Sequence, residues 1–220
     1  MVPYSSAEVV VFEQYVTDTF LQKSGLHIER MVILKNVGSN PIIPGELHFK
    51  LHEIRKGTRV PSKVSNFFAE NEIKTPLKTR MIEGNDETDL VISVWEPVLP
   101  GFTYKIYLKY DLEFDPKGFL FYEIKVPVEE TTIPIRSNEH SLYLPSNYHV
   151  TYAPEGVVKK VEKSGKTYRQ VVWKNRRDML LEYSYLPLPK LGVRGVNIFW
   201  IVIIVSMVIT TLLLHKKLRR

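Results

Sequence analysis

Phe102-Thr103-Tyr104-Lys105-Ile106-Tyr107-Leu108-Lys109-Tyr110-Asp111-Leu112-Glu113-Phe114 decides the fold class. Its even positions are all apolar or aromatic, and its odd positions carry Thr, Lys, Tyr, Lys, Asp and Glu. A period of two sends successive side chains to opposite faces of a strand, one toward a core and one toward water. Asp115-Pro116-Lys117-Gly118 follows with turn chemistry, so residues 119–128 are expected to return as the hairpin partner.

The same alternation, less pure, predicts strands at 8–15, 27–36, 46–54, 90–96, 148–152, 157–163, 167–173 and 179–185. Turn signals separate them, among them Pro44-Gly45, Pro100-Gly101 and Ser164-Gly165. Many short strands at this spacing point to an all-β, antiparallel β-sandwich, Ig-like or related, rather than to alternating βαβ units. Residues 62–72 are expected to form a short helix, because Phe67 and Phe68 sit side by side and break the alternation. Pro127 and Pro134 interrupt pairing, which divides the chain into a sandwich at 1–128 and a smaller β unit at 129–188 packed on it.

Residues 196–214 contain no charge, and His215-Lys216-Lys217-Leu218-Arg219-Arg220 follows directly. At about 1.5 Å per residue such a helix spans roughly 28 Å, close to the hydrocarbon thickness of a bilayer. The expectation is one transmembrane helix, reached by a short linker at 189–195 and followed by a basic tail at 215–220. Phe199 and Trp200 mark one membrane interface; Lys216, Lys217, Arg219 and Arg220 mark the other.

The formal net charge of +6 invites a nucleic-acid reading, but its location argues against one. Six of the 30 Lys and Arg lie from Lys190 onward, where no Asp or Glu occurs, leaving 24 before it against 24 acidic residues. The β region is formally neutral, and the excess charge flanks the membrane segment. The positive-inside rule then puts the tail in the cytoplasm and the β region outside. Export needs a signal, and the longest early apolar run, Val9-Val10-Val11-Phe12, is shorter than a signal core. Ser5-Ser6-Ala7 has the small residues of a cleavage site, which fits a chain that has lost its signal. The opposite orientation, a cytosolic tail-anchored domain, accounts for the missing signal but exports the basic tail.

Chemistry-bearing motifs are few. The absence of cysteine excludes disulfides, thiolate metal sites and a cysteine nucleophile, and suits a prokaryotic cell-envelope protein. Gly165-Lys166-Thr167 resembles the end of a phosphate-binding loop, but Lys160 stands where the motif needs glycine, and strands flank it; a hairpin turn is expected. His48 and His52 have metal-ligand spacing only on a helix. On the strand expected here they lie about 13 Å apart, on a solvated face with Lys50 between. His140 and His149 are ordinary polar residues that a hairpin could bring close. Glu129 and Glu130, being adjacent, face opposite ways on a strand and cannot share a substrate.

Nothing here calls for a cofactor, a metal or a catalytic set. Among the aromatics, Tyr107, Tyr143 and Tyr148 are candidate anchors for a partner, since tyrosine is enriched at binding surfaces. The expected partners are the lipid bilayer and a protein in a membrane complex. The expected function is an extracytoplasmic binding, accessory or structural module, with a cytosolic adaptor or an envelope hydrolase or transferase as alternatives.

Overall fold

The computed structural model describes residues 9–23, 25–55, 57–126, 128–176, 179–190 and 192–218, with side chains for all of these except 117, 128 and 213–218. The protein is built from β-sheets in a sandwich-like arrangement, followed by one C-terminal helix. The strands are β1 (Val10–Gln22), β2 (Gly25–Asn36), β3 (Gly45–Arg55), β4 (Thr58–Pro61), β5 (Val64–Asn71), β6 (Lys78–Glu83), β7 (Thr88–Val94) and β8 (Thr103–Glu113). There follow β9 (Lys117–Gly118), β10 (Tyr122–Lys125), β11 (Val128–Glu130), β12 (Asn138–Pro145), β13 (His149–Tyr152), β14 (Val157–Lys163), β15 (Lys166–Lys174) and β16 (Leu180–Ser184). The helix α1 spans Gly195–Leu218.

One seven-stranded sheet, in the order β14-β15-β12-β1-β2-β8-β5, forms a full layer. Beneath it lie two smaller sheets, β11-β3-β7-β6 with β4 paired to β3, and β13-β16-β10-β9. At the centre of the large sheet, β1 pairs antiparallel with β2 and parallel with β12, the latter placing Tyr15 opposite Asn138. The chain on either side of residue 128 therefore contributes strands to the same sheet. The alternation of β1, β2 and β8 turns Tyr15, Leu26, Ile28, Val32, Leu34, Ile106, Leu108, Tyr110 and Leu112 inward. Phe12 of β1 stacks on Phe49 of β3 with ring centroids 5.9 Å apart, joining the large sheet to the first small one. Trp173 of β15 donates from Nε1 to the carbonyl of Pro154, in the turn between β13 and β14, at 3.0 Å. A methyl group on Gly156 would lie 2.9 Å from that nitrogen, so the approach requires glycine. Each such buried side chain contributes about 1.5–3 kcal/mol from removal of apolar area from water.

Three expectations are corrected. Residues 62–72 hold no helix; β5 runs through them, with a bulge between Ser65 and Phe68 and Asn66 at φ 54°. The extra bulge residue breaks the period of two, which is why adjacent phenylalanines looked non-strand. The described residues of 119–128 do not pair with the 102–114 strand. β8 is held between β2 and β5, while β10 pairs with β9 and β16 in another sheet. A turn signal shows that the chain reverses, not which strand it returns to. Finally, His52 is not on a solvated face. It is 5% exposed, between β4 and β11, with Nδ1 3.0 Å from Arg59 Nη2.

Candidate functional site

The most specific polar construction joins the helix to the β-sheets. Glu182 lies on β16, between β13 and β10, and is 2% exposed. Its Oε1 accepts from the Gly195 amide and from Thr151 Oγ1, both at 2.7 Å, and its Oε2 accepts from the Val196 amide at 3.3 Å. These amides open α1 and have no partner within the helix, and the helix dipole adds positive potential there. A carboxylate from the sheet thus caps the helix. Around it, Arg194 Nη1 donates to Glu123 Oε2 at 3.0 Å, and the Phe121 and Phe199 rings lie 6.5 Å apart. Gly195 has no room for a side chain, since a Cβ would sit 2.3 Å from the Phe121 ring.

From this junction α1 projects away from the β-sheets, and Gly195–Leu212 is long and apolar enough to cross a membrane, with 6% of it buried. Phe199 is half-buried against Phe121, whereas Trp200 faces outward at 57% exposure. Thr210 and Thr211 donate to the carbonyls of Ser206 and Met207, which satisfies both hydroxyls inside the apolar stretch. Lys216 and Lys217 continue the helical backbone; Arg219, Arg220 and the Ser5-Ser6-Ala7 stretch lie outside the described residues.

The three candidate tyrosines do not share one surface. Tyr107 lies on the outer face of the large sheet, which no other layer covers among the described residues. Registers there align Val16, Met31, Tyr107 and Glu70 in one cross-strand row, and Asp18, Glu29, Lys109 and Phe68 in the next. These rows border a groove of about 380 Å³, and Lys74 Nζ sits 4.6 Å from the Tyr107 ring centre. Tyr143, on β12, occupies the same face, but it is 7% exposed. Phe20 stacks on it at 4.6 Å and Lys163 lies over both rings, so neighbours on its own face cover it. Tyr148 lies beside β16, its hydroxyl 2.9 Å from that of Tyr185.

A second polar feature is buried. Arg30 points inward from the middle of β2, among Leu26, Ile28, Val32 and Leu34. Its guanidinium donates to Glu129 Oε1 on β11, to Thr17 Oγ1 at 2.9 Å and to Tyr110 Oη at 3.3 Å. Burial opposes the charge, but Glu129 and the two neighbouring tyrosines more than offset this and hold Arg30 above its ordinary pKa. Glu130, the next residue, turns the other way to Arg59. The pair borders a cavity of about 520 Å³ under the segment that crosses from β11 to β12.

His140 also lines this cavity, 3.0 Å from Thr19 Oγ1 through Nε2. Burial, and behind it the charge of Arg30, push the imidazole down to about 3. An unfolded histidine titrates near 6.5. The native state therefore excludes a proton that the unfolded chain takes up. Stability from this group is complete above about pH 6.5 and falls as pH drops toward 3, by about 1.4 kcal/mol per unit. Unfolding free energies of the native chain and His140→Asn, from urea titrations, should diverge by about 2 kcal/mol between pH 7 and 5. Parallel pH profiles would show that His140 carries none of this dependence.

The remaining motifs resolve simply. Ser164 and Gly165, at φ 53° and 71°, form the tight turn between β14 and β15, so the Gly-Lys-Thr stretch is a hairpin. His140 and His149 lie in different sheets. No group of three or more His, Asp or Glu able to hold a metal occurs among the described residues.

The sheet layering defines a class, a β-sandwich-like domain with a C-terminal apolar helix, and known proteins share parts of it. No protein-family model matches the chain. An uncharacterised protein of Methanocaldococcus jannaschii is 26% identical over 131 residues, covering 60% of this chain and 89% of that one. Among solved structures, a Legionella pneumophila protein described as nutrient-binding superposes with a TM-score of 0.50 at 9% identity, over 80% of this chain and 67% of that chain. An M1 zinc metallopeptidase of Deinococcus radiodurans gives 0.45 at 12% identity, over 80% of this chain, which spans only 42% of the peptidase. The likeness to the Legionella protein is one of fold.

Proposed function

We propose that this chain is a single-pass membrane protein whose β domain stands at the outer bilayer surface and acts by binding, without catalysis. One observation carries the reading. An apolar helix with almost no buried surface is capped by a carboxylate that is itself buried in the β-sheets. Such a helix in water would expose a continuous apolar surface, and bilayer hydrocarbon removes that cost. The uncovered outer face of the large sheet, with its rows around Tyr107, is the surface offered to a protein partner.

Because the chain has no cysteine, single-cysteine labelling tests the topology directly. Ser39→Cys, in the exposed bend after β2, should react with a membrane-impermeant maleimide in intact cells, and Lys217→Cys only after permeabilisation. The reverse pattern supports the cytosolic adaptor. A chain recovered in the soluble fraction after carbonate extraction removes the membrane reading altogether.

A further inference from the structure

Phe119 stands in the turn between β9 and β10 and is 85% exposed, and no large apolar side chain among the described residues is more so. The turn that presents it is firmly held. Gly118, at φ 149°, lets the Phe121 carbonyl approach to where a Cβ would be 1.8 Å away. Ser184 Oγ, fully buried, donates to the Leu120 carbonyl at 2.8 Å. Phe121 closes on Gly195 and on the ring of Phe199. Phe199 lies four residues into α1, about 6 Å along its axis, so the turn stands level with the opening of the apolar helix. Tyr185 and Leu186, 55% and 45% exposed, follow β16 nearby, and Tyr185 packs edge-on against Tyr122 at 5.6 Å.

An apolar side chain held rigidly in water beside a membrane helix gains by entering the bilayer, and tyrosines suit the head-group level. We propose that the turn at 118–121 is a second membrane contact, in which Phe119 enters the interfacial layer of the bilayer spanned by α1, with Tyr185 and Leu186 at its surface. The proposal rests on the membrane reading of α1. It goes beyond it, because two contacts fix the tilt of the β domain and therefore the direction in which the face around Tyr107 points.

The test uses the full chain in phosphatidylcholine–phosphatidylglycerol vesicles, with a bimane fluorophore on single cysteines and doxyl-labelled lipids as quenchers. Phe119→Cys should be quenched by shallow doxyl lipid at least twofold more than Ser39→Cys, which lies at the far end of β2 from its Gly25–Glu113 pairing. Leu186→Cys should be quenched likewise and serves if Phe119→Cys does not fold. Thr210→Cys reports the helix through deep doxyl lipid. Quenching at 210 with none at 119 or 186 overturns the second contact and leaves the anchor standing. No quenching at any site overturns both. A blue-shifted label at 119 without quenching means that protein, such as a second copy, covers the turn, and this also overturns the proposal.

Discussion

Glu129→Ala is expected to destabilise the β domain by about 3–5 kcal/mol, because it leaves Arg30 charged and uncompensated between the sheets. For a chain of this size that lowers the thermal midpoint by roughly 10 °C. The cost comes from orphaning a charge rather than from losing an attraction. Arg30 keeps only Thr17 and Tyr110 as partners, neither of them charged. Arg30→Met combined with Glu129→Leu should therefore fall within about 1 kcal/mol of the native chain or exceed it, since removing both ions also removes their desolvation. Urea unfolding followed by the fluorescence of Trp173, 2% exposed in the core, measures both variants. A single and a double variant of equal stability would show that the pair is solvated through the adjoining cavity.

Glu182→Ala carries the second large effect, a loss of about 3 kcal/mol. It strips acceptors from the Gly195 and Val196 amides and from Thr151, and hydrogen bonds to a charged group contribute about 1.5–3 kcal/mol each, though not additively. Glu182→Gln keeps one acceptor oxygen but loses the charge facing the helix dipole, so it should fall between. The two roles of the residue separate by measurement. Amide exchange at Gly195 and Val196 should accelerate at least tenfold in Glu182→Ala, while the membrane fraction of the protein stays unchanged. Unaltered exchange at those amides would mean that the helix is held by Arg194 and the Phe121–Phe199 contact instead.

Much of this architecture was readable in the chain, and the unreadable parts share a cause. Strands announce themselves through alternation, which is local, and 157–163 matches β14 residue for residue. The apolar helix is equally local. Partnership is not: nothing in 102–114 says that its neighbours are β2 and β5, and nothing in 8–15 announces a parallel partner more than a hundred residues on. Of the site residues, Arg30 left a usable mark, since a charge on the apolar face of a period-two strand asks for a buried partner. Glu182 left none within Leu-Leu-Glu-Tyr-Ser, where it resembles an ordinary solvent-facing residue; only the first amides of α1, which meet it in the fold, mark it as a cap. Tyr143 misleads in the opposite sense: its face is the outer one, yet Phe20 and Lys163 cover it.

The parallel pairing of β1 with β12 also constrains synthesis. During translation, β1 and β2 can close as a hairpin once Asn36 has cleared the ribosome, but the partner for the other side of β1 comes only with Asn138 to Tyr143. For about a hundred residues of elongation, then, the nascent chain carries a long strand with one bare edge, the kind of edge that recruits other strands. The strand that closes this edge is made before the first residue of α1, because β12 precedes the helix in the chain. The order of elements lets the domain seal its most aggregation-prone strand before its apolar helix appears.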